Sequence, residues 1–159
     1  MNTIDSSGVI LALLKYVDSS FANFLRQFEE GIRGFINGDS SVWKQNLSRG
    51  EGATIMGAWG AYEKGWSEVE PRYDWAAACF TASGAQPKIE YLAAGVSGDL
   101  AYTVSIERSE VRLTDQGNPT PMQLRATHVF QRENGIWKLL HRHADPIVGK
   151  TAPSAVLER

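Results

Sequence analysis

The sequence predicts a single α+β domain in which a strongly curved antiparallel sheet wraps around a long helix near the N-terminus. Up to about residue 80, apolar residues recur every three or four positions, which is the period of amphipathic helices. After Gly84 apolar and polar residues alternate, as they do in strands. The chain of 159 residues contains no internal repeat and no linker-like tract, so both halves belong to one domain.

Composition and charge narrow the classes of function. Apolar residues make up 43% of the chain and charged residues 21%, as in a soluble globular protein. The 16 basic and 18 acidic residues are mixed along the sequence, so we expect no nucleic-acid partner. No run reaches the roughly 18 apolar residues that a membrane span needs, and no basic residue precedes the short apolar stretch near the N-terminus. We therefore expect no membrane partner and a cytoplasmic location.

The longest helix is predicted from one apolar stripe in the first quarter of the chain. Ser19 or Ser20 can cap its first turn, and Asn37-Gly38 ends it. The stripe follows the spacing of one helix face and comprises Phe21, Phe24, Leu25, Phe28, Ile32, Phe35 and Ile36.

Shorter elements flank this helix. Asp39 is suited to the N-cap of a short helix that follows it, and residues 53–59 are predicted to form a short strand. A second helical stripe, from Trp66 to Phe80, contains Pro71, so we expect a kink there or a break and restart. Residues 10–17 are predicted to form a short N-terminal helix.

The second half of the chain is predicted to be an antiparallel meander. Gly98-Asp99 and Glu133-Asn134-Gly135 have the composition of turns, and the tail from Pro146 is expected to be loosely ordered. The strands are predicted over residues 88–94, 100–113, 122–132 and 136–144.

The last hairpin contains all three histidines of the chain. Side chains alternate along a strand, so His141 and His143 share one face of the last strand and Arg142 lies on the other. If Asn134-Gly135 forms a two-residue type I′ turn, His128 lies opposite His141. The three histidines then converge in a constellation suited to a metal ion.

A three-residue turn with a glycine bulge gives a different site. His128 then lies opposite Leu140 and diagonal to Arg142, which makes an acid-base or anion site. A pair of histidines leaves a divalent ion under-coordinated, so we predict no metal ligand. The hairpin also carries an alternative polar site, either a hydrogen-bonded patch or part of a dimer contact, formed by Arg125, His141, His143 and Asp145.

Three segments carry a resemblance to a known family. They are RATHVFQRENGIWKLLHRHAD in the last hairpin, FINGD at the end of the long helix, and GAWGAYEKGW before the next helix. Together they resemble the SnoaL-like branch of the nuclear transport factor 2-like superfamily, which includes ketosteroid isomerase-like proteins with a cystatin-like fold. The resemblance implies a cone-shaped fold with an internal apolar pocket, and a homodimer through the sheet. It also implies an N-terminal extension over residues 1–18, the SnoaL-like domain over 19–146 and a C-terminal tail over 147–159.

The last hairpin is also similar to the association domain of calcium/calmodulin-dependent protein kinase. In that domain arginines of the hairpin line the pocket and meet carboxylate ligands. His128 takes the place of the first arginine and Ala144 that of a second, so Arg142 must supply the cation here. The similarity favours the three-residue turn.

The resemblance implies a small-molecule pocket, either of a cofactor-independent isomerase, cyclase or dehydratase, or of a non-catalytic ligand-binding or oligomerisation domain. In the enzyme, His128 is the acid-base group, because its ordinary pKa lies near neutral pH. Asp39 is a second candidate, although its position indicates an N-cap. The ligand is a small organic molecule with an anionic or enolisable oxygen, such as a carboxylate. The residues predicted to bind it are Arg142, Trp59, Tyr62, Trp66 and Tyr102.

Overall fold

Four α-helices and a seven-stranded sheet form the computed structural model, which describes residues 6–158. Met1–Asp5 of the predicted extension and Arg159 of the tail lie outside the described residues. The helices are α1 Ser6–Val17, α2 Ser19–Phe35, α3 Ser41–Gln45 and α4 Trp66–Ala78. The strands are β1 Thr54–Met56, β2 Glu63–Lys64, β3 Phe80–Thr81, β4 Lys88–Ser97, β5 Leu100–Leu113, β6 Thr120–Glu133 and β7 Ile136–Pro146. The predicted α+β class, with a strongly curved sheet, is confirmed.

Helix α2 is the long predicted helix, and its apolar face packs on the sheet. Its N-cap is Asp18, whose carboxylate accepts a hydrogen bond of 3.0 Å from the backbone N–H of Phe21. The serines predicted as caps lie one and two positions inside the helix. Phe21 and Phe28 are buried, and both rings meet the ring of Phe130 on β6 edge to face, at 5.2 Å.

Helix α4 runs unbroken through Pro71, so the predicted break and restart is wrong. Proline lacks the N–H that would bond to the fourth residue before it. Tertiary packing outweighs this loss, because Val69, Tyr73 and Ala77 on the same helix are buried in the core. Helix α1 also packs into the fold, with Leu14 in the main apolar core. None of the helices within residues 6–158 is long and apolar enough to span a membrane.

The strands form one sheet in the order β2-β1-β7-β6-β5-β3, and β4 pairs with β5. The predicted ends of the four long antiparallel strands lie within three residues of the observed ends. Strands β2 and β3 were not predicted, because two residues carry no periodic signal. Strand β1 runs parallel to β7, with Thr54 opposite His141. The face of this sheet that packs on α2 is called the inner face below, and the opposite one the outer face.

The last hairpin has a two-residue turn and a bulge further along. Asn134 and Gly135 both have positive φ, 51° and 80°, as a type I′ turn requires. Phe130 lies opposite Leu139, but the next residue back, Val129, lies opposite His141. Leu140 is therefore an extra residue in β7, which is a β-bulge.

The bulge corrects both registers predicted from the sequence. The three-residue turn favoured by the kinase association domain is wrong, because Glu133 lies directly opposite Ile136. The three-histidine face predicted for a two-residue turn is also wrong. His128 lies opposite Arg142 instead, and both side chains are on the inner face.

The turn gives a direct test of this hairpin. Gly135→Ala is expected to lower the free energy of unfolding by about 1–2 kcal/mol, because a side chain disfavours the left-handed backbone by that amount. Urea unfolding at constant pH measures the change. The control is Gly117→Ala, at an exposed loop glycine without positive φ. Equal stability of the two variants would contradict the turn.

Candidate functional site

An apolar cavity of about 280 Å³ lies between the inner face of the sheet and helices α2, α3 and α4. Most of its lining is aliphatic or aromatic, so it suits a mainly apolar molecule. The cavity is lined by Ile32, Phe35, Ile36, Trp43, Ile55, Gly57, Ala58, Trp59, Arg72, Tyr73, Ala76, Phe80, Glu107, Met122, Leu124, Arg142, Ala144 and Pro146.

Glu107 and Arg142 form a buried ion pair in the wall of this cavity. Their side chains are only 7% and 13% exposed. Arg142 donates through Nη1 to Oε1 of Glu107 at 2.7 Å and through Nη2 to Oε2 at 2.8 Å. This is the bidentate geometry that makes arginine-carboxylate pairs strong.

Each partner keeps the other charged. Burial alone would raise the pKa of Glu107, but the charge and hydrogen bonds of Arg142 outweigh it and lower that pKa. Burial would lower the pKa of Arg142, and Glu107 outweighs it in the same way. At neutral pH the pair is therefore a carboxylate and a guanidinium of zero net charge.

His128 lies behind this pair, with no solvent exposure. Its Nε2 is 2.7 Å from Nη1 of Arg142, and its Nδ1 is 3.3 Å from Oγ1 of Thr103. Arginine is a donor only, so we assign the Nε2 lone pair to Arg142 and the proton to Nδ1. Burial, with the charge of Arg142 as the second cause, lowers the pKa of His128 to about 3.

Small residues allow Arg142 to reach Glu107 across β6. Opposed residues on β5, β6 and β7 form rows on the inner face, and one row consists of Ser105, Ala126 and Ala144. This row lies between the row that holds Arg142 and the row that holds Glu107. All its members are almost fully buried, and their short side chains leave room for the guanidinium.

The structure changes the role predicted for His128. It was predicted to be the acid-base group because its ordinary pKa lies near neutral pH, but burial and the charge of Arg142 lower that pKa to about 3. It also does not line the cavity. Arg142 does line the cavity, as expected, but it is paired with Glu107, a residue that the sequence analysis did not select. Glu107 points inward from β5, as Thr103 and Ser105 do. This series of alternate polar residues was the one signal in the sequence that could have identified Glu107 as a site residue.

The predicted aromatic residues separate into different regions. Trp59 lines the cavity and is 46% exposed. Tyr62 is mostly exposed, Tyr102 points from β5 to the outer face, and neither lines the cavity. Trp66 does not line the cavity; it is half-buried against the core, with Arg49 above its ring at 5.1 Å.

Asp39 is a structural residue at the start of α3. Its exposed carboxylate accepts a hydrogen bond of 2.8 Å from the backbone N–H of Ser41. The side-chain hydroxyl of Ser41 and, after it, this backbone N–H lower the pKa of Asp39. The N-cap of α3 is Ser40, so the N-cap predicted at Asp39 is wrong by one residue. Asp39 does not line the cavity, and its contact with Ser41 is a local one at the start of the helix.

The alternative polar site lies on the outer face, away from the cavity. Arg125 forms a bidentate pair with Asp145, at 2.8 and 2.6 Å. His141 meets the hydroxyl of Thr54 at 2.7 Å through Nδ1, and burial lowers its pKa. His143 is exposed. Among residues 6–158, no three potential metal ligands of the His, Cys, Asp or Glu type converge.

A second cation lies at the edge of the cavity and was not predicted. Arg72 stacks over the ring of Trp75 at 4.4 Å and donates to the carbonyl of Gly60 at 3.2 Å. Its Nε is 3.5 Å from a carboxylate oxygen of Glu63. These contacts fix the loop that carries Trp59 over the cavity.

The environment of His128 predicts an unusual titration. We expect its NMR signals to stay constant between about pH 8 and pH 5 with Nε2 unprotonated, because its folded-state pKa of about 3 lies below the ordinary 6.5. The stability that it contributes is complete above pH 6.5 and is lost as the pH falls towards 3. Free imidazole in the same tube is the control. A midpoint between pH 5 and 8 would contradict the buried neutral form.

Solved structures share this fold. A candidate dehydratase of the NTF2-like family from Streptomyces avermitilis is 19% identical, with a TM-score of 0.69 over 85% of this chain and 99% of that one. A candidate ketosteroid isomerase from Shewanella frigidimarina is 21% identical, with a TM-score of 0.62 over 81% and 97%. The association domain of C. elegans CaMKII is 13% identical, with a TM-score of 0.61 over 82% and 98%.

At these identities the similarity establishes the fold and not an activity. Comparison with proteins of curated function gives no match. The sequence comparison with protein families is more specific. Residues 51–148, which include the cavity's charged pair and the last hairpin, match the SnoaL-like domain. The chain therefore belongs to the SnoaL-like domain family.

Proposed function

We propose that the protein is a cofactor-independent isomerase or dehydratase that acts on a small, mostly apolar molecule with a carbonyl oxygen. One observation carries this proposal: a buried bidentate pair, Glu107 and Arg142, in the wall of a mostly apolar cavity. Burying two charges costs several kcal/mol per ion, and apolar residues of similar volume often give equal stability. Function is therefore a better explanation of this pair than stability.

Arg142 retains donors for a ligand. Its Nη1 uses both hydrogens, one towards Glu107 and one towards His128. Within residues 6–158, its remaining bond goes from Nη2 to Glu107, which leaves one N–H on Nη2 and one on Nε. A substrate carbonyl oxygen accepts from these groups, and their positive charge stabilises the enolate that forms when a neighbouring carbon loses a proton.

Glu107 is the proposed proton carrier. Its carboxylate takes the proton from the carbon beside the carbonyl, and the electrons of that C–H bond move to the oxygen held by Arg142. Return of the proton to another carbon gives an isomer. Transfer of the proton to a β-hydroxyl group, which leaves as water, gives dehydration. When the substrate oxygen accepts hydrogen bonds from Arg142, the guanidinium stabilises the carboxylate of Glu107 less. The pKa of Glu107 therefore rises.

His128 is a positioning residue in this proposal. It accepts from Nη1 of Arg142 and holds the guanidinium towards Glu107. A neutral carbonyl ligand is favoured over the predicted carboxylate, because Glu107 already neutralises Arg142 and a second carboxylate would add like charge to a buried site.

Isotope exchange and binding test the enzyme proposal together. Small methyl ketones are expected to exchange their α-hydrogens for deuterium faster in the presence of the protein, as followed by NMR in D₂O. Glu107→Gln should reduce this exchange at least about tenfold, since it removes the base and keeps the shape. Glu110→Gln, an exposed carboxylate on the same strand, is the matched control.

Binding is separated from folding by a paired substitution. Arg142→Met should lower the free energy of unfolding by about 3–5 kcal/mol, because Glu107 stays buried without a partner, whereas Glu107→Leu/Arg142→Met should stay near the wild type. The double variant should lose the rise in melting temperature that ketones give the wild type. Unchanged ketone binding in the double variant would contradict the proposed site. A rise caused only by carboxylates would favour the ligand-binding alternative.

The outer face of the sheet favours a second function, homodimerisation. Tyr102, Val104 and Ile106 follow one another outward along β5, and Tyr102 is 46% exposed. Ion pairs flank this apolar row on the same face, Arg108 with Glu90 and Arg125 with Asp145. A rim with both signs of charge suits a second copy, because each sign can meet the other across a twofold axis.

Light scattering after gel filtration tests the dimer. The wild type is expected to have twice the mass of one chain, and Ile106→Lys the mass of one chain, because a charge in the centre of the contact would be desolvated. Ile136→Lys, at an exposed isoleucine beside the hairpin turn, should leave the dimer intact. A monomeric wild type would rule out this function.

A further inference from the structure

A second space adjoins the cavity at the end of the long strands. This groove has a volume of about 500 Å³ and shares four lining residues with the cavity, Trp59, Met122, Leu124 and Pro146. The two spaces therefore meet along one boundary. A ligand that filled the cavity and extended across this boundary would enter the groove.

The groove differs from the cavity in chemistry. Most of the groove lining is apolar, but Gln116 and Thr120 add an amide and a hydroxyl group, whereas the polar groups of the cavity are mainly charged. Among the described residues that line the groove, none carries a charge. Amide and hydroxyl side chains bind a neutral polar group better than an ion, because they offer donors and acceptors without a counter-charge.

Trp59 is the largest residue on the boundary. Its ring packs edge to face on Trp75 at 5.5 Å and against Phe80 at 5.6 Å. A hydrogen bond from Arg72 to the Gly60 carbonyl holds the loop that carries Trp59. A fixed indole between two spaces limits what can pass from one to the other.

We propose that the substrate has two parts: an apolar body with its carbonyl at Arg142, and a flexible chain that passes Trp59 and ends in a neutral hydroxyl or amide group in the groove. This rests on the proposed function of the cavity. Trp59 is then a specificity-determining residue, which admits an unbranched chain and excludes a branched one. The cavity alone lies at the small end of ligand sites, and both spaces together fall within their usual range.

Isothermal titration with a series of methyl ketones tests this inference. The probes are short methyl ketones, longer unbranched ones, and long ones that end in a hydroxyl group. For the hydroxylated probes, Gln116→Ala/Thr120→Val should weaken binding by about five- to tenfold, the value of one or two hydrogen bonds. Short ketones should bind this variant as they bind the wild type. Gln131→Ala, a half-buried glutamine on the same strand and outside the groove, is the control.

Substitutions at Trp59 test selection by shape. The wild type should prefer unbranched over branched long ketones by at least about tenfold. Trp59→Ala should largely abolish this preference, and Trp59→Phe should keep most of it. If short ketones bind but neither chain length nor the hydroxyl group changes affinity, the groove is no subsite, and the proposed cavity function stands. If no ketone binds the wild type, both proposals are overturned.

Discussion

The bidentate pair between Arg142 and Glu107 is the interaction on which the candidate site depends. It joins β7 to β5 across the inner face of β6, so three strands must keep their register for it to form. It also places the two charges in the wall of the apolar cavity. A buried pair of this kind tolerates loss of both partners better than loss of one, and the site is therefore a unit rather than a set of independent residues.

The pair in turn depends on one extra residue in β7. Without the bulge at Leu140, the two-residue turn would place His141 opposite His128, and Arg142 would point to the outer face. With it, the strand turns Trp137 and Leu139 inward before the bulge and Arg142 and Ala144 inward after it. One inserted residue thus allows the same strand to supply both the aromatic core and the cavity's cation.

Much of the fold follows from periodicity alone, and the site does not. The stripe from Phe21 to Ile36 and the alternation from Leu100 to Leu113 identify α2 and β5, because each pattern repeats often enough to be distinct. The pairing of His128 with Arg142 was predicted through a three-residue turn that does not exist. The sequence Asn134-Gly135 predicts the geometry of its own turn. It contains no information about a bulge five residues further along the chain.

Glu107 shows why charged core residues are hard to recognise from one sequence. On β5 it alternates with Arg108 and precedes Glu110, which is the pattern of a solvated strand end. Its burial depends on Arg142, which is 35 residues further along the chain. The small residues Ala126 and Ala144, which leave space for the pair, resemble ordinary core alanines until the strands are placed side by side.

Aromatic packing connects the core of the fold to the chemistry of the site. The Phe28 ring lies edge-on to His128 at 4.9 Å, and the Phe130 ring lies 5.8 Å from it. These rings exclude water, so the imidazole stays neutral and can accept the hydrogen bond from Arg142. A protonated His128 would present a second cation to the guanidinium and offer no lone pair. The apolar face of α2 therefore does more than stabilise the sheet, because it keeps Arg142 directed towards Glu107 and the cavity.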